Sequence, residues 1–141
     1  LRQVNPVLGG GGAIAVGFKA GFEIGKGSIA IGYGAGANKT GEESVAIGYD
    51  AANSNQGDGA IAIGAFSGFA DQGSNSIAIG GRAAAGANQA NNSIAINATG
   101  SILDAPTANA LFVKPIRDVT GEPGFTVQLY YNPSTGEIGF K

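Results

Sequence analysis

The sequence contains no cysteine, no histidine, no methionine and no tryptophan. Without cysteine it forms no disulfide and no thiolate metal site, and without histidine it lacks the commonest general base. A hydrolase built from this chain would need paired carboxylates, a lysine base or a metal ion. The acidic residues in the repeated part are scattered over predicted turns: Glu23, Glu42, Glu43, Asp50, Asp58 and Asp71.

We therefore expect no enzyme activity: no catalytic residue, no cofactor and no metal site. The alternative is a cation held by Glu42, Glu43 and Asp58, which lie in neighbouring repeats, but ordinary solvated turns explain these residues better.

Charge is also sparse. Charged residues make up 13% of the chain and the formal net charge is -2, so no basic surface is available for nucleic acid or for an anionic membrane. No apolar run reaches the roughly 18 residues of a membrane span. We expect neither a nucleic-acid partner nor membrane insertion. The chain starts at Leu1 with no signal-peptide pattern, which predicts a piece of a longer protein.

What the chain does contain is one repeated five-residue phrase, seen as "AIAVG", "SIAIG", "SVAIG", "AIAIG", "SIAIG" and "SIAIN". The first large apolar residue of each copy recurs every 15 to 17 residues, at Ile14, Ile29, Val45, Ile61, Ile77 and Ile94. A period this even is typical of a solenoid, in which each repeat forms one coil. Large apolar residues alternate with alanine within the phrase, which indicates a β-strand.

Each coil is predicted to be strand, turn, short strand, turn, and stacking at about 4.8 Å would make a rod roughly 29 Å long. Following the rule that large apolar side chains are buried, we expect ladders of isoleucine and valine in the core of the coil. These residues are Ile29, Ile31, Val45, Ile47, Ile61, Ile63, Ile77, Ile79, Ile94 and Ile96.

The alanines between them would then face outward. A lone narrow coil buries too little apolar surface to offset the entropy of ordering its residues. We therefore expect three chains to associate through this flat side, with a trimer interface at Ala30, Ala46, Ala62 and Ala78.

Glycine recurs four residues before the first five phrase markers, at Gly10, Gly25, Gly41, Gly57 and Gly73, and Ala90 takes this place before the sixth. This column predicts a backbone position with positive φ, which glycine adopts without steric cost.

The periodicity stops at Ser101. The segment "ALFVKPIRDV" predicts a strand interrupted by Pro115, and "FTVQLYYNPSTGEIGF" predicts a hairpin whose turn is "NPSTGE". The predicted organisation is a linker at residues 1–12, a solenoid head at 13–100, and a β-hairpin cap and trimer clamp at 101–141. A separate binding module is the alternative for this last segment.

Aromatic residues follow the glycine of the phrase at Phe18, Tyr33 and Tyr49, with Phe66 and Phe69 near the same corner of the next coil. Rings one coil apart can stack as a structural ladder or offer a strip to sugar rings. In the second interpretation the glycan contacts are Tyr33, Tyr49 and Phe66.

The columns of residues 13–97 resemble the YadA-like head repeats of trimeric autotransporter adhesins. The closing blocks "NNSIAINATGS", "LFVKPIRDV" and "LYYNPSTGEIGF" resemble repeat-bearing surface or fibre proteins of large algal viruses and phage tail fibres. The resemblance implies an all-β fold: a homotrimeric, left-handed parallel β-roll, or β-solenoid, of about six 16-residue coils with a small C-terminal β cap.

It also implies a role in attachment. The chain would form part of a fibre or spike on a virion surface and present a multivalent surface to a host cell-surface glycan or protein receptor. The alternative is the head of a bacterial adhesin, located on the bacterial cell surface and binding host matrix or glycans.

Overall fold

The computed structural model describes residues 11–86, 88–116, 129–136 and 138–140, in which every regular element is a β-strand. No helix in these ranges is long and apolar enough to cross a membrane. The predicted linker lies outside the described residues except for Gly11 and Gly12. The strands are β1 Ile14–Val16, β2 Ile29–Ile31, β3 Asn38–Thr40, β4 Val45–Ile47, β5 Ser54–Gln56, β6 Ile61–Ile63, β7 Ala70–Gln72, β8 Ile77–Ile79, β9 Ile94–Asn97, β10 Leu111–Lys114, β11 Leu129–Tyr131 and β12 Ile138–Phe140.

The repeated phrases form one parallel sheet in the order β1-β2-β4-β6-β8-β9-β10. Its register places each phrase marker on the next, so that Ile29 pairs with Val45 and Val45 pairs with Ile61. The second strands of the coils, β3, β5 and β7, form another parallel sheet. The predicted all-β solenoid of about six turns, each about 16 residues long, is confirmed.

The stack continues past its predicted end at residue 100. Strand β10 pairs in parallel with β9, with Leu111 opposite Ile94 and Phe112 opposite Ala95. Phe112, in the last described strand of this sheet, packs against the last group of buried alanines. The segment up to Lys114 thus closes the solenoid as one more coil. The predicted hairpin is present as antiparallel β11 and β12, although residues 117–128 of its segment lie outside the described residues.

The glycine column before the phrase has a different cause from the predicted one. None of the described members Gly25, Gly41, Gly57 and Gly73 has a positive φ. A Cβ on Gly57 would instead lie 2.5 Å from the Ser74 nitrogen of the next coil. Close backbone approach between stacked coils excludes a side chain there. Positive φ occurs at the glycine that ends the phrase, as at Gly32 (φ 133°).

The prediction of which face of the strand is buried is wrong. Ala30, Ala46, Ala62 and Ala78 are 0% exposed inside the single chain, so they cannot contact a neighbouring chain. The residues predicted as core point the other way: Ile31, Ile63, Ile79 and Ile96 are 37 to 41% exposed. Ile47 is partly exposed on the same outer side, and so are the first large apolar residues of the phrases, Ile29, Val45, Ile61, Ile77 and Ile94.

The reason is that the roll is too thin for isoleucine. The wall opposite the alanines is a buried turn built from small residues, including Ala35 and Gly36. A Cβ on Gly36 would already lie 3.4 Å from the Ala30 Cβ. Between the alanines and this turn, the interior therefore accommodates about one methyl group from each wall, and the isoleucine side chains of the phrase lie on the outer side.

Polar side chains fill the rest of this interior and tie the two sheets together. Gln56, Gln72 and Gln89 extend inward from the second sheet and are at most 3% exposed. The Gln72 Nε2 donates a hydrogen bond to the Ile61 carbonyl oxygen (2.8 Å), and Gln89 bonds equivalently to Ile77 (3.0 Å). Each glutamine thus cross-links one coil by bonding to a strand of the first sheet.

Enlarging one buried alanine should destabilise the chain. We expect Ala46→Leu to lower the free energy of unfolding by about 1–3 kcal/mol or more, because the opposite wall leaves no room for the added carbons. The control is Ile47→Leu, an isomeric change on the outer side of the same strand. Urea unfolding followed by circular dichroism measures both, and equal stabilities would contradict the narrow interior.

Converting one internal glutamine to glutamate should make stability depend on pH. In Gln72→Glu, burial raises the pKa of the new carboxyl, so the ionised form destabilises the fold at pH 7. Stability should rise as the pH falls, because the protonated carboxyl again donates to the Ile61 carbonyl oxygen. Exposed Asn38→Asp is the control and should show no such recovery. Urea midpoints at pH 7 and pH 4 test this, and identical pH profiles would refute it.

Candidate functional site

The largest feature of the outer surface is an apolar face on the first sheet. It consists of the outward side chains at the two phrase positions, from Ile14 and Val16 at one end to Leu111 and Val113 at the other, and we refer to it as the isoleucine face. Because the coils pair in register, these side chains form two unbroken columns about 29 Å long. Contiguous exposed apolar surface of this kind marks an interaction site.

A second feature is a ladder of aromatic rings at the corner that follows the first sheet. The Phe18 and Tyr33 rings stack with centroids 5.2 Å apart, and Tyr33 and Tyr49 do the same with planes only 7° from parallel. Phe66 then meets Tyr49 edge-on at 5.3 Å, and Phe69 lies 5.8 Å from Phe66. The predicted gathering of these five rings at one corner is confirmed.

The stacking changes what these rings offer to a ligand. Tyr33 lies between two other rings, so both of its faces are turned toward neighbours rather than toward solvent. A sugar that packs on an aromatic ring needs an open face. The ladder therefore presents mainly ring edges, and contact of a glycan with Tyr33, Tyr49 and Phe66 stays a prediction.

Beside the ladder lies a groove of about 460 Å³ that the sequence analysis missed. Its side chains come from three successive coils: Lys19 and Phe22 from the first, Gly34 and Ala37 from the second, and Asp50 and Asn53 from the third. Tyr33 and Asn38 complete the lining. The sequence did contain a sign of this groove. The second coil alone has small residues, Gly34 and Ala37, at the two corner positions where the first and third coils have larger ones.

The acidic residues considered for a cation have structural partners or lie apart. The Asp58 Oδ1 accepts a hydrogen bond from the backbone N–H of Glu42 in the preceding coil (3.0 Å). Two coils further on, the Asn91 Oδ1 accepts a hydrogen bond from the backbone N–H of Ser74 (3.0 Å), so this corner contact recurs. Among the described residues no three histidine, cysteine, aspartate or glutamate side chains gather closely enough to hold a metal ion.

Comparison with known protein families gives one match. The YadA head domain repeat matches twice, at residues 24–51 and 40–67. These ranges comprise the second, third and fourth phrases, the coils that contribute the middle of the isoleucine face and Tyr33 and Tyr49 of the ladder. Neither the curated proteins nor the solved structures contain a match to this chain.

If the ring ladder stabilises the fold, its members should be energetically coupled. A double-mutant cycle of Tyr33→Ala and Tyr49→Ala should give a coupling free energy of about 0.5–1.5 kcal/mol in urea unfolding. The matched cycle of Tyr33→Ala and Phe69→Ala joins rings two coils apart and should give less than about 0.5 kcal/mol. Equal coupling in both cycles would mean that stacking contributes nothing specific.

Proposed function

We propose that this chain, whose residues 24–67 match YadA head repeats, is the head of a homotrimeric adhesin-type fibre that attaches its bearer to a host surface. The observation that carries the proposal is the isoleucine face. A solenoid that leaves two full-length columns of large apolar side chains in water would be poorly soluble alone, and association of copies buries them.

Three copies are the assembly that fits the face best. The face is flat, continuous and identical in register along the rod, so three rods can enclose a common axis with all three faces turned inward. The alanines predicted for this role stabilise each chain internally, and Ile31, Ile47, Ile63 and Ile79 take their place at the interface. The corners and the second sheets then remain outside, available for contact with a host.

Attachment by such a rod depends on multivalency. Three copies of any corner site are held at fixed spacing on a stiff scaffold, so binding by one copy raises the effective concentration of the other two. Weak single contacts with a glycan or protein receptor then add up to stable adhesion. No step in this role needs catalysis, and we propose that the chain is not an enzyme.

The bearer is a virion or a bacterial cell. The resemblance of the C-terminal blocks to virion surface and fibre proteins favours a viral fibre or spike, located on the virion surface. The YadA head repeat favours the head of a bacterial autotransporter adhesin. Both assignments require the rod to be exposed on an outer surface.

Surface exposure is tested by labelling with antibodies raised against this chain. Intact virions or cells that carry the protein should be labelled without permeabilisation, and polyclonal antibodies absorbed with the purified chain serve as the control. Labelling that appears only after the particle is opened would overturn the proposed function.

The assembly is tested on the isoleucine face. Ile63→Asp should convert a particle of three 13.8 kDa chains into a monomer that keeps its β circular dichroism spectrum, because Ile63 is 37% exposed within one chain. Ile63→Val is the matched control and should stay trimeric. Analytical ultracentrifugation measures the mass, and a wild-type monomer, a wild-type dimer or an aspartate variant that remains trimeric would contradict this interface.

A further inference from the structure

The groove beside the aromatic ladder is a concave site that combines charged, amide and aromatic groups. We propose that it binds a neutral hexose unit of a host glycan. The inference rests on the proposed attachment function and deepens it, since it names the class of ligand and the place where that ligand is held.

The groove exists because two columns at the corner both have a small residue in the same coil. In the first column the successive coils carry Lys19, Gly34, Asp50, Phe66 and Arg82, and in the second they carry Phe22, Ala37, Asn53, Phe69 and Ala85. Only the second coil has small residues in both columns between larger neighbours on either side. The coils on each side lie two strand spacings apart, about 9.6 Å. The result is a notch one coil high.

The walls of this notch are already held in place. The Asn53 Nδ2 donates to the Asp50 Oδ1 (2.9 Å) and also to the Gly34 carbonyl oxygen of the floor (3.2 Å). Gly34 has a φ of 65°, and a Cβ there would collide with the Asp50 carboxylate. The backbone of Gly34 thus lets the carboxylate lie close to the floor, so little conformational entropy is lost when a ligand binds.

The free groups of the notch match a sugar. The second carboxylate oxygen of Asp50 accepts no hydrogen bond from the described residues, so it can accept from sugar hydroxyls. The Asn38 amide can donate to them, and so can the Lys19 ammonium, which lies 5.7 Å from the centroid of the Phe18 ring. The Phe22 ring is 62% exposed and, unlike Tyr33, is not stacked on another ring among the described residues. It therefore supplies an open face for the apolar side of a pyranose.

Charge and size narrow the ligand class. One ammonium and one carboxylate line the groove, so its net charge is zero and it favours neither sialylated nor sulfated sugars. The volume of about 460 Å³ lies within the roughly 300–1,000 Å³ of small-ligand sites. None of the residues that line the groove belongs to the isoleucine face, so association through that face leaves the lining uncommitted, and a trimer would present three copies.

The test fills the notch without removing any polar group. Ala37→Phe places in the second coil the residue that the same column carries at Phe22 and Phe69, so the backbone tolerates it. The matched control, Ala85→Phe, makes the same change in the same column outside the groove. A second variant, Asp50→Asn, removes the carboxylate but keeps the oxygen that accepts from Asn53. Its matched control is Asp71→Asn, an exposed aspartate in the middle of β7 whose Oδ1 accepts a hydrogen bond from the Asn55 Nδ2 (2.8 Å).

Each protein is applied, at equal trimer concentration, to an array of neutral hexose and N-acetylhexosamine oligosaccharides alongside sialylated and sulfated glycans. We expect wild type and both controls to bind neutral glycans within about twofold of one another. Ala37→Phe and Asp50→Asn should each lose at least about tenfold. The proposal that the groove binds a neutral hexose would be overturned by any of three results: no binding by wild type, binding confined to the charged glycans, or full binding by Ala37→Phe.

The same proteins separate this inference from the proposed function. Beads coated with wild type and with Ala37→Phe are applied to host cells, and trimer mass is measured in parallel. Surface labelling, a trimer and adhesion that survives Ala37→Phe would remove the glycan groove and leave the attachment function standing. Loss of adhesion in Ala37→Phe alone supports both.

Discussion

The dimension on which the rest of the molecule depends is the thickness of the roll. Its two walls approach so closely that each contributes about one methyl group to the space between them, as the Ala30 and Gly36 positions show. Alanine, serine and glutamine side chains therefore form most of the interior, and the isoleucines of the phrase lie partly exposed on the outer side. A chain with such a core gains little from the hydrophobic effect within itself, and its largest apolar surface becomes available for association.

In-register stacking determines which residue positions can differ from one coil to the next. Within a coil, the inward positions, the phrase and the glycines that touch the next backbone are fixed by contacts with neighbouring coils. Side chains at the outward corner positions make fewer contacts with neighbouring coils, so these positions differ from coil to coil. They hold a lysine, an aspartate, aromatic residues or a glycine. The ladder and the groove both occur at these corners. Substitution at such a corner position leaves the backbone pairing between coils in place.

Much of this could be predicted from the sequence, because period and alternation are direct consequences of stacked strands. The spacing of Ile14, Ile29 and Val45 predicts the coils and their register, and the position of Tyr33 and Tyr49 in each phrase predicts the ring ladder. The inward side could not be assigned by the usual rule that large apolar residues are buried. The alternation shows that the strand has two faces, but it does not show which of them lines the narrow interior of the roll. The groove was not predicted because it forms where large side chains are missing from two columns, at Gly34 and Ala37, and the sequence analysis looked for residues that recur.

The coil-by-coil construction also makes the length of the rod adjustable. Since each coil bonds only to its neighbours, duplication or loss of one repeat by recombination within the gene would change the rod by about 4.8 Å and leave every other contact as it was. Under the proposed attachment function, the rod can therefore be lengthened or shortened in uniform steps, without a change in the parts that fold it.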